Sequence, residues 1–555
     1  MDLPRVALAA ALLAAAPAAR GQPADLETWV VVRTPSISLM TDAGVERGSE
    51  IAVSLERFRA VFAQLAPELE LSSPAPIKLF AFRDAASFAP YKARREGRGV
   101  QILGQFLSHA DGNYLTLNAD PGHPAARAVI YHEFAHYLVR NNFPRVPLWF
   151  NEGLAEYYGT FAIEDGAAVI GRPVERHLAW LRRRGRIDPA AVLGASSASA
   201  RGHDAEQAGE LYAVSWLLVH HLLSGGVERL DQTAAYLGRV AAGEDSEEAF
   251  VEAFDLRLST LAETLLDYAR GERFATAAIP LDRLPPVTAE SAAMAPAEVL
   301  FQLGDLLLHS GRREAAAAHF QLALDHRPED PAAHAGLAWV RHLDGRLAEA
   351  EVLFDDARRL GLRDPLGWLW YGRHLLATLD LEPATAGELA VLAGDGEAGD
   401  RGARAARARD AFRRAVELAP DFAEAHAMLG YAHLFGAARP ADGIPSLAHA
   451  VARLPSRPEL VLFLVELHLK AGDVAGAEGW IARGLARRSP ELAARAREEV
   501  ERFTLLEAAR KALDDGRIDD ALALVDRAVE LTSDPQLRRR LAARLAALQQ
   551  LAGER

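Results

Sequence analysis

No cysteine occurs among the 555 residues. Disulfides, cysteine-based metal sites, thiol catalysis and a lipid anchor on cysteine are therefore excluded. A surplus of positive charge is missing as well: 62 Lys and Arg stand against 76 Asp and Glu, a formal charge of -14. That balance leaves no broad basic field, so nucleic acid is not an expected partner. The run Arg182-Arg183-Arg184 reads as a helix end or a solvated patch. Long apolar stretches are absent beyond the first residues. Residues 6–16 are apolar but too short to span a bilayer, with Arg5 before them and small residues after them. Residues 1–21 therefore read as a signal peptide, which predicts a periplasmic or secreted protein with no integral membrane segment after cleavage. Half of the residues are hydrophobic, enough for real cores, and the length predicts about three domains.

What is present is a pair of motifs. The first is Tyr131-His132-Glu133-Phe134-Ala135-His136. On a helix, His132 and His136 are four residues apart, so both imidazoles lie on one face and can hold one metal ion. Glu133 is next to them, where it can take a proton from an activated water. Ile130, Phe134, Ala135 and Leu138 lie mainly away from the His face, which gives the helix a core side and a site side. The second motif is Asn151-Glu152-Gly153-Leu154-Ala155-Glu156, with fifteen residues between His136 and Glu152. That is room for one turn and the start of a second helix. Asn151 is expected as its N-cap, with Glu152 projecting back as a third ligand. Trp149-Phe150 precedes it.

These two segments resemble the gluzincin zinc peptidases, the thermolysin-like and alanyl-aminopeptidase-like enzymes. The resemblance implies zinc as cofactor, His132, His136 and Glu152 as ligands, and Glu133 as general base. It also implies Asn151 and Glu156 as residues that orient the histidines, since a ligating His usually donates its other N–H to a carboxylate or carbonyl. It is tight over about thirty residues and loose from Leu26 to Gly271. The His-to-Glu spacing is shorter than the aminopeptidase type, and no Gly-Ala-Met-Glu-Asn segment is present. In the whole chain the look is that of a bacterial peptidase-like family fused to helical repeats. The helix Glu210–His221 resembles one that carries a tyrosine near the metal in aminopeptidase-like members. Tyr212 is then the candidate hydroxyl for stabilising an oxyanion, and His220 and His221 are packing or surface residues.

Upstream, strands are expected at Val30-Val31-Val32, Ile37-Ser38-Leu39, residues 77–82, 102–104 and 114–118. Helices are expected over residues 48–65 and 85–91. The strand 114–118 is either a sheet edge that could pair with an extended peptide or an ordinary internal strand. Residues 276–295, rich in proline, read as a linker. From residue 296 a 34-residue period begins. Gly304, Ala316, Phe320 and Ala323 recur as Ala338, Ala350, Phe354 and Ala357, and further units follow to residue 531 with an insertion at 380–404. The pattern resembles tetratricopeptide arrays, which implies a surface for a protein partner or peptide.

The expected architecture is thus an α+β zincin-like metallopeptidase domain over residues 25–275, followed by an all-α tetratricopeptide repeat solenoid. About six repeats occupy 296–531, and a capping helix occupies 532–555. Each part is expected to have its own core, so that a chain cut near Pro286 would leave a folded domain. The expected function is an exported zinc metallopeptidase that hydrolyses peptide or protein substrates. The alternatives are a non-catalytic protein-interaction scaffold and a cell-wall peptide amidase using the same residues.

Overall fold

The computed structural model describes residues 26–67, 69–92, 104–122, 126–142, 146–200, 205–379, 400–486 and 489–553. The expected signal peptide at 1–21 and most of the expected insertion lie outside these, as do Ile102 and Leu103. Among the described residues no helix is long and apolar enough to cross a membrane.

The N-terminal part is α+β. In chain order it runs β1 (Val30–Arg33), β2 (Ser38–Thr41), α1 (Val45–Leu65), β3 (Ile77–Phe82), α2 (Ala85–Phe88), β4 (Gly104–Ser108), β5 (Asn113–Asn118), α3 (Ala126–Asn142) and α4 (Leu148–Tyr158). It continues with β6 (Ala162–Glu164), β7 (Ala167–Ile170), α5 (Glu175–Arg184), α6 (Pro189–Leu193), α7 (Ser197–Ala200), α8 (Ala205–Leu223), α9 (Gly226–Ala241), α10 (Ser246–Phe254) and α11 (Leu258–Arg270). Strands β8 (Ala277–Pro280) and β9 (Glu290–Ala293) close it. The main sheet has the order β4-β5-β3-β2-β1-β9. Its centre, β2-β3-β5, is parallel; β4 and β9 are antiparallel to their neighbours at the two edges. A small antiparallel sheet is formed by β6, β7 and β8.

Two expectations are corrected here, and one open alternative is decided. Residues 276–295 are not a linker: β8 pairs with β7, and β9 pairs with β1 in register Val31↔Ala292. Their backbone donors and acceptors are satisfied by sheets, so the prolines punctuate strands instead of freeing a tether. Of the two alternatives for residues 114–118 the internal strand holds: β5 lies between β4 and β3, and the edge is β4. The second correction concerns the cores. Successive residues of a strand face opposite sides, and both sides of this sheet are buried. Val32, Leu39, Leu79, Ala81, Leu115 and Leu117 join α1 and α3 in one cluster. Val31, Met40, Phe80, Phe82 and Tyr114 join a second cluster with Val299, Leu300, Leu303 and Phe320, which belong to the repeats. The first cluster lies within the N-terminal part, but the second is shared with the repeats, so the expectation of two parts with separate cores is corrected.

The repeats begin with α12 (Pro296–His309) and α13 (Arg313–His326), then α14 (Pro331–Leu343), α15 (Leu347–Arg359) and α16 (Pro365–Ala377). Later helices span Asp400–Leu418, Ala423–Ala432, Ile444–Arg453, Glu459–Lys470, Val474–Trp480, Pro490–Asp514, Ile518–Leu531 and Pro535–Gly553. The 34-residue period is a packing rule. Phe320 lies so close to Gly304 and Gly336 that a Cβ at either would come within 2.8 Å of its ring; Phe412 does the same to Gly372. Residues 400–404, expected in the insertion, are helical.

Polar contacts cross the shared core at its rim. Lys78 and Tyr114, register partners on β3 and β5, both reach Asp305 Oδ2, at 2.6 and 2.8 Å. His309 sits between Asp305 and Asp111, with Nδ1 3.0 Å from Asp305 Oδ1 and Nε2 3.3 Å from Asp111 Oδ1. Arg373 on α16 binds Asp111 at 2.8 Å, and Ala423 donates its N–H to Pro74 O at 2.8 Å. Burial by itself would lower the His309 imidazole, but the two carboxylates outweigh it and push it up to about 10. Burial would likewise raise the Asp305 carboxyl, yet Lys78 and His309 hold it at about 2.

A pH dependence follows. His309 is raised above its ordinary 6.5, so its contribution is complete below about pH 6.5 and is lost as pH climbs through about 10. Asp305 is depressed below 3.8, so its contribution is present above that value and lost as pH falls through about 2. The groups facing His309 are Asp305, Asp111, His109 and Tyr114, with Lys78 and Arg373 one contact away. Thermal melts of the full chain should show a Tm that declines between about pH 6.5 and 10, and His309→Gln should flatten that decline. A Tm that declines equally in both proteins would remove His309 as its cause.

Candidate metal centre

Helix α3 is amphipathic as its spacing predicts. Ile130, Tyr131, Phe134, Ala135, Leu138 and Val139 are buried, while His132, Glu133 and His136 are half-buried on the other side. Tyr131 stacks on Phe58 of α1 at 5.2 Å and its hydroxyl meets Ser54 Oγ; Phe134 meets the same ring edge-on. That aromatic packing fixes the rotation of α3 about its axis, and so fixes where the histidines point.

Helix α4 supplies the acid. It starts at Leu148 after Pro147, whose carbonyl accepts from Phe150 and Asn151. The expected N-cap at Asn151 is therefore corrected: proline, with its fixed φ, sets the start four residues earlier. Asn151 lies inside the first turn, and its side chain is used elsewhere. Gly153 lets α4 press against α8; a Cβ there would be 2.4 Å from Ser215 O and 2.6 Å from Val219. This close approach seats α4 with Glu152 and Glu156 toward α3.

The three sequence-derived ligands converge. His132 Nε2 and His136 Nε2 are 3.1 Å apart, and Glu152 Oε2 is 3.7 and 3.6 Å from them. Tetrahedral zinc, with nitrogens at 2.0–2.1 Å and oxygen at 2.0–2.2 Å, sets donor separations of about 3.3–3.5 Å. The triangle fits that ion. Among the described residues these three are the one such group of His and carboxylate donors. Three protein donors with a free fourth position is the pattern of a catalytic zinc site.

Both remaining imidazole nitrogens are backed. His136 Nδ1 lies 3.1 Å from Asn151 Oδ1, which accepts its proton; His132 Nδ1 faces Glu156 Oε1 at 3.6 Å. Glu156 is itself held by Arg176 at 2.6 Å and His177 at 3.0 Å, both from α5. Burial would raise the Glu156 carboxyl, but His177, His132 and Arg176 outweigh it and hold it at about 2. Burial and the neighbouring His136 depress His132. For His136, burial is outweighed by Glu152, Glu133 and Asn151, and the ring is pushed up to about 9.

Arg176 and His177 were not among the sequence candidates. They follow Glu152 by more than twenty residues on another helix, and no local spacing marks them. Edge strand β4 was also missed as part of the site. Gly104 opens it against α3, where a Cβ would lie 2.7 Å from Val129 and 3.5 Å from Glu133 Cγ. Tyr212, 37% exposed on α8, lines a cleft of 330 Å³ with Glu156, Arg176, His177, Trp180 and Gly209. Tyr212 thus shares a cleft with Glu156, which faces His132 at Nδ1, the nitrogen turned away from the donor triangle. His220 is fully buried, bonded to Gly171 O and Tyr268, a packing residue.

The tetratricopeptide repeat family matches residues 307–369. No curated protein matches the chain. Among solved structures, YrrB, described as a TPR protein with an unusual peptide-binding site, is 17% identical, covering 36% of this chain and 92% of its own at a TM-score of 0.28. TTC0263, a thermophilic TPR protein of Thermus thermophilus, is 24% identical over 38% of this chain and 99% of its own, at 0.25. The pilF protein of Pseudomonas aeruginosa is 19% identical over 45% and 97%, at 0.27. Residues 307–369 are thus tetratricopeptide repeats, and further helices continue from them to residue 553.

Proposed function

We propose that this protein is an exported zinc metallopeptidase whose repeats belong to a protein-interaction array. The carrying observation is the donor triangle of His132, His136 and Glu152, with Asn151 and Glu156 behind the two rings. When bound there, zinc supplies Lewis acidity at the open side of the triangle. Glu133 holds the catalytic proton: its carboxylate takes it from the attacking water and delivers it to the leaving amine. Asn151 and Glu156 keep the imidazoles in the tautomer whose Nε2 lone pairs face the ion. Tyr212 is the oxyanion-donor candidate by resemblance alone, because its cleft adjoins Glu156 behind the His132 ring. Strand β4, antiparallel at the sheet edge and passing Glu133, supports a substrate bound as one more strand. Export rests on the signal-peptide reading of residues 1–21.

Metal analysis tests the reading. Purified protein should hold about one zinc per chain, His132→Ala should hold none, and Glu156→Gln should weaken binding ~10–100-fold, as loss of a carboxylate behind a ligand does. Equal zinc in wild type and His132→Ala would overturn it. The repeat match favours a second reading, a scaffold whose site binds metal without turnover. A broad peptide-library digest separates the two, and cell-wall peptides in the same digest test the amidase alternative.

A further inference from the structure

The β4–β5 hairpin has two ends with different neighbours. At the open end Gly104 lies against Val129 and Glu133, and Phe106 meets Tyr137 of α3 edge-on at 6.0 Å. At the closed end, residues 109–112 form the turn, with His109 N bonded to Gly112 O. That turn is gripped by the repeats. Asp111 is bound by Arg373 of α16 at 2.8 Å and by His309 of α12 at 3.3 Å, and the His109 ring contacts His309 at 5.1 Å. Tyr114, one residue past the turn's last glycine and asparagine pair, stacks on His309 at 4.5 Å. Arg373 is shared with Glu424, which Arg457 also binds, so the grip is tied to the helix Ala423–Ala432 and the connection before the helix Glu459–Lys470.

We propose that Arg373 and His309 are positioning residues for the substrate edge: by holding Asp111 they fix β4 against Glu133, so the repeat array sets the geometry of the cleft. An edge strand has ladder bonds on one side only, here to β5. Its place relative to α3 therefore depends on what anchors its ends. The turn contributes an anchor of charge-assisted bonds at a buried site, and those are geometrically demanding. A neutral replacement of Arg373 leaves Asp111 with His309 alone and loosens the turn. A partner bound to the array near Arg373 or Glu424 would act on the same lever.

The consequence for catalysis rests on the peptidase reading, but the strand's anchoring does not, and two readouts keep them apart. Full-length zinc-loaded Arg373→Met and Asp111→Asn are compared with wild type by amide exchange and by peptide hydrolysis. Amides of residues 104–108 should exchange ~10-fold faster or more, while residues 30–41 and α3 keep wild-type protection. KM for a library-derived peptide should rise ~10-fold with kcat within about twofold, the signature of lost substrate positioning. Arg373→Lys, which keeps the charge, should recover most of both. Unchanged exchange at 104–108, or an equal rise across the whole N-terminal part, would overturn the proposal. A wild type that cleaves nothing would remove the peptidase reading while the exchange result still decides the anchoring.

Discussion

Glu133→Gln should abolish most peptide hydrolysis and leave the zinc in place. Glu133 is one residue from His132, so on α3 it is rotated about 100° from the ligand. It is half-buried and close enough to both imidazoles for its charge to raise them. Glutamine keeps its size and can still accept a hydrogen bond, but it cannot take a proton at neutral pH. General-base catalysis is worth ~10²–10⁴-fold, so turnover should fall by that order while metal content matches wild type. His132→Ala, by contrast, should lose metal and activity together. Equal turnover in wild type and Glu133→Gln, on any peptide the library yields, would remove the enzyme reading with Glu133 as its base; a wild type that cleaves nothing but binds peptides through the array would put the interaction scaffold in its place.

Cutting the chain after Pro286 should destroy the N-terminal part as a soluble folded unit. The cut removes β9, leaving β1 as an unpaired edge with Val30-Val31-Val32 on it. It also strips α12 to α14 from the second face of the sheet. Trp29, Met40, Phe80, Phe82, Phe88 and Tyr91 then lose their cover. Aromatic side chains bury ~150–250 Å² each, so even partial exposure of this set passes the few hundred Å² that soluble monomers tolerate as one patch. The truncated chain should aggregate, or bind a hydrophobic dye and melt without cooperativity. The full chain should show one cooperative transition involving both parts. A soluble fragment of residues 22–286 with a sharp melt and retained zinc would contradict the shared core.

The candidate metal site was legible because its geometry is local. Two histidines four residues apart on one helix face must be neighbours, whatever surrounds them. Apolar residues on the opposite side fixed which face would be buried. Glu152 was legible as a candidate through the Asn-Glu-Gly run, but its convergence on the histidines depends on Gly153 touching α8, which no local spacing contains. The repeats were legible because a helix pair that must stack on its copy repeats its small and large residues in phase, as Gly304, Ala316 and Phe320 do.

Tertiary structure alone decided the rest. Strand order cannot be read from strand existence: β5 and β4 are both apolar enough to be strands, and only pairing made β4 the edge beside Glu133. The support of Glu156 by Arg176 and His177 joins residues twenty and twenty-one positions apart across two helices. Residues 276–295 look like a tether because proline and small residues dominate them, yet sheet pairing took up their backbone bonds. The sharing of one core by two apparent domains was hidden most completely. A strand such as β3, apolar on both faces, announces that it will be covered twice, but not by what. The sequence by itself thus determined which residues could hold a metal and which segments would repeat. The tertiary structure determined what packs behind them, because burial between distant segments is set by complementary faces and not by spacing along the chain.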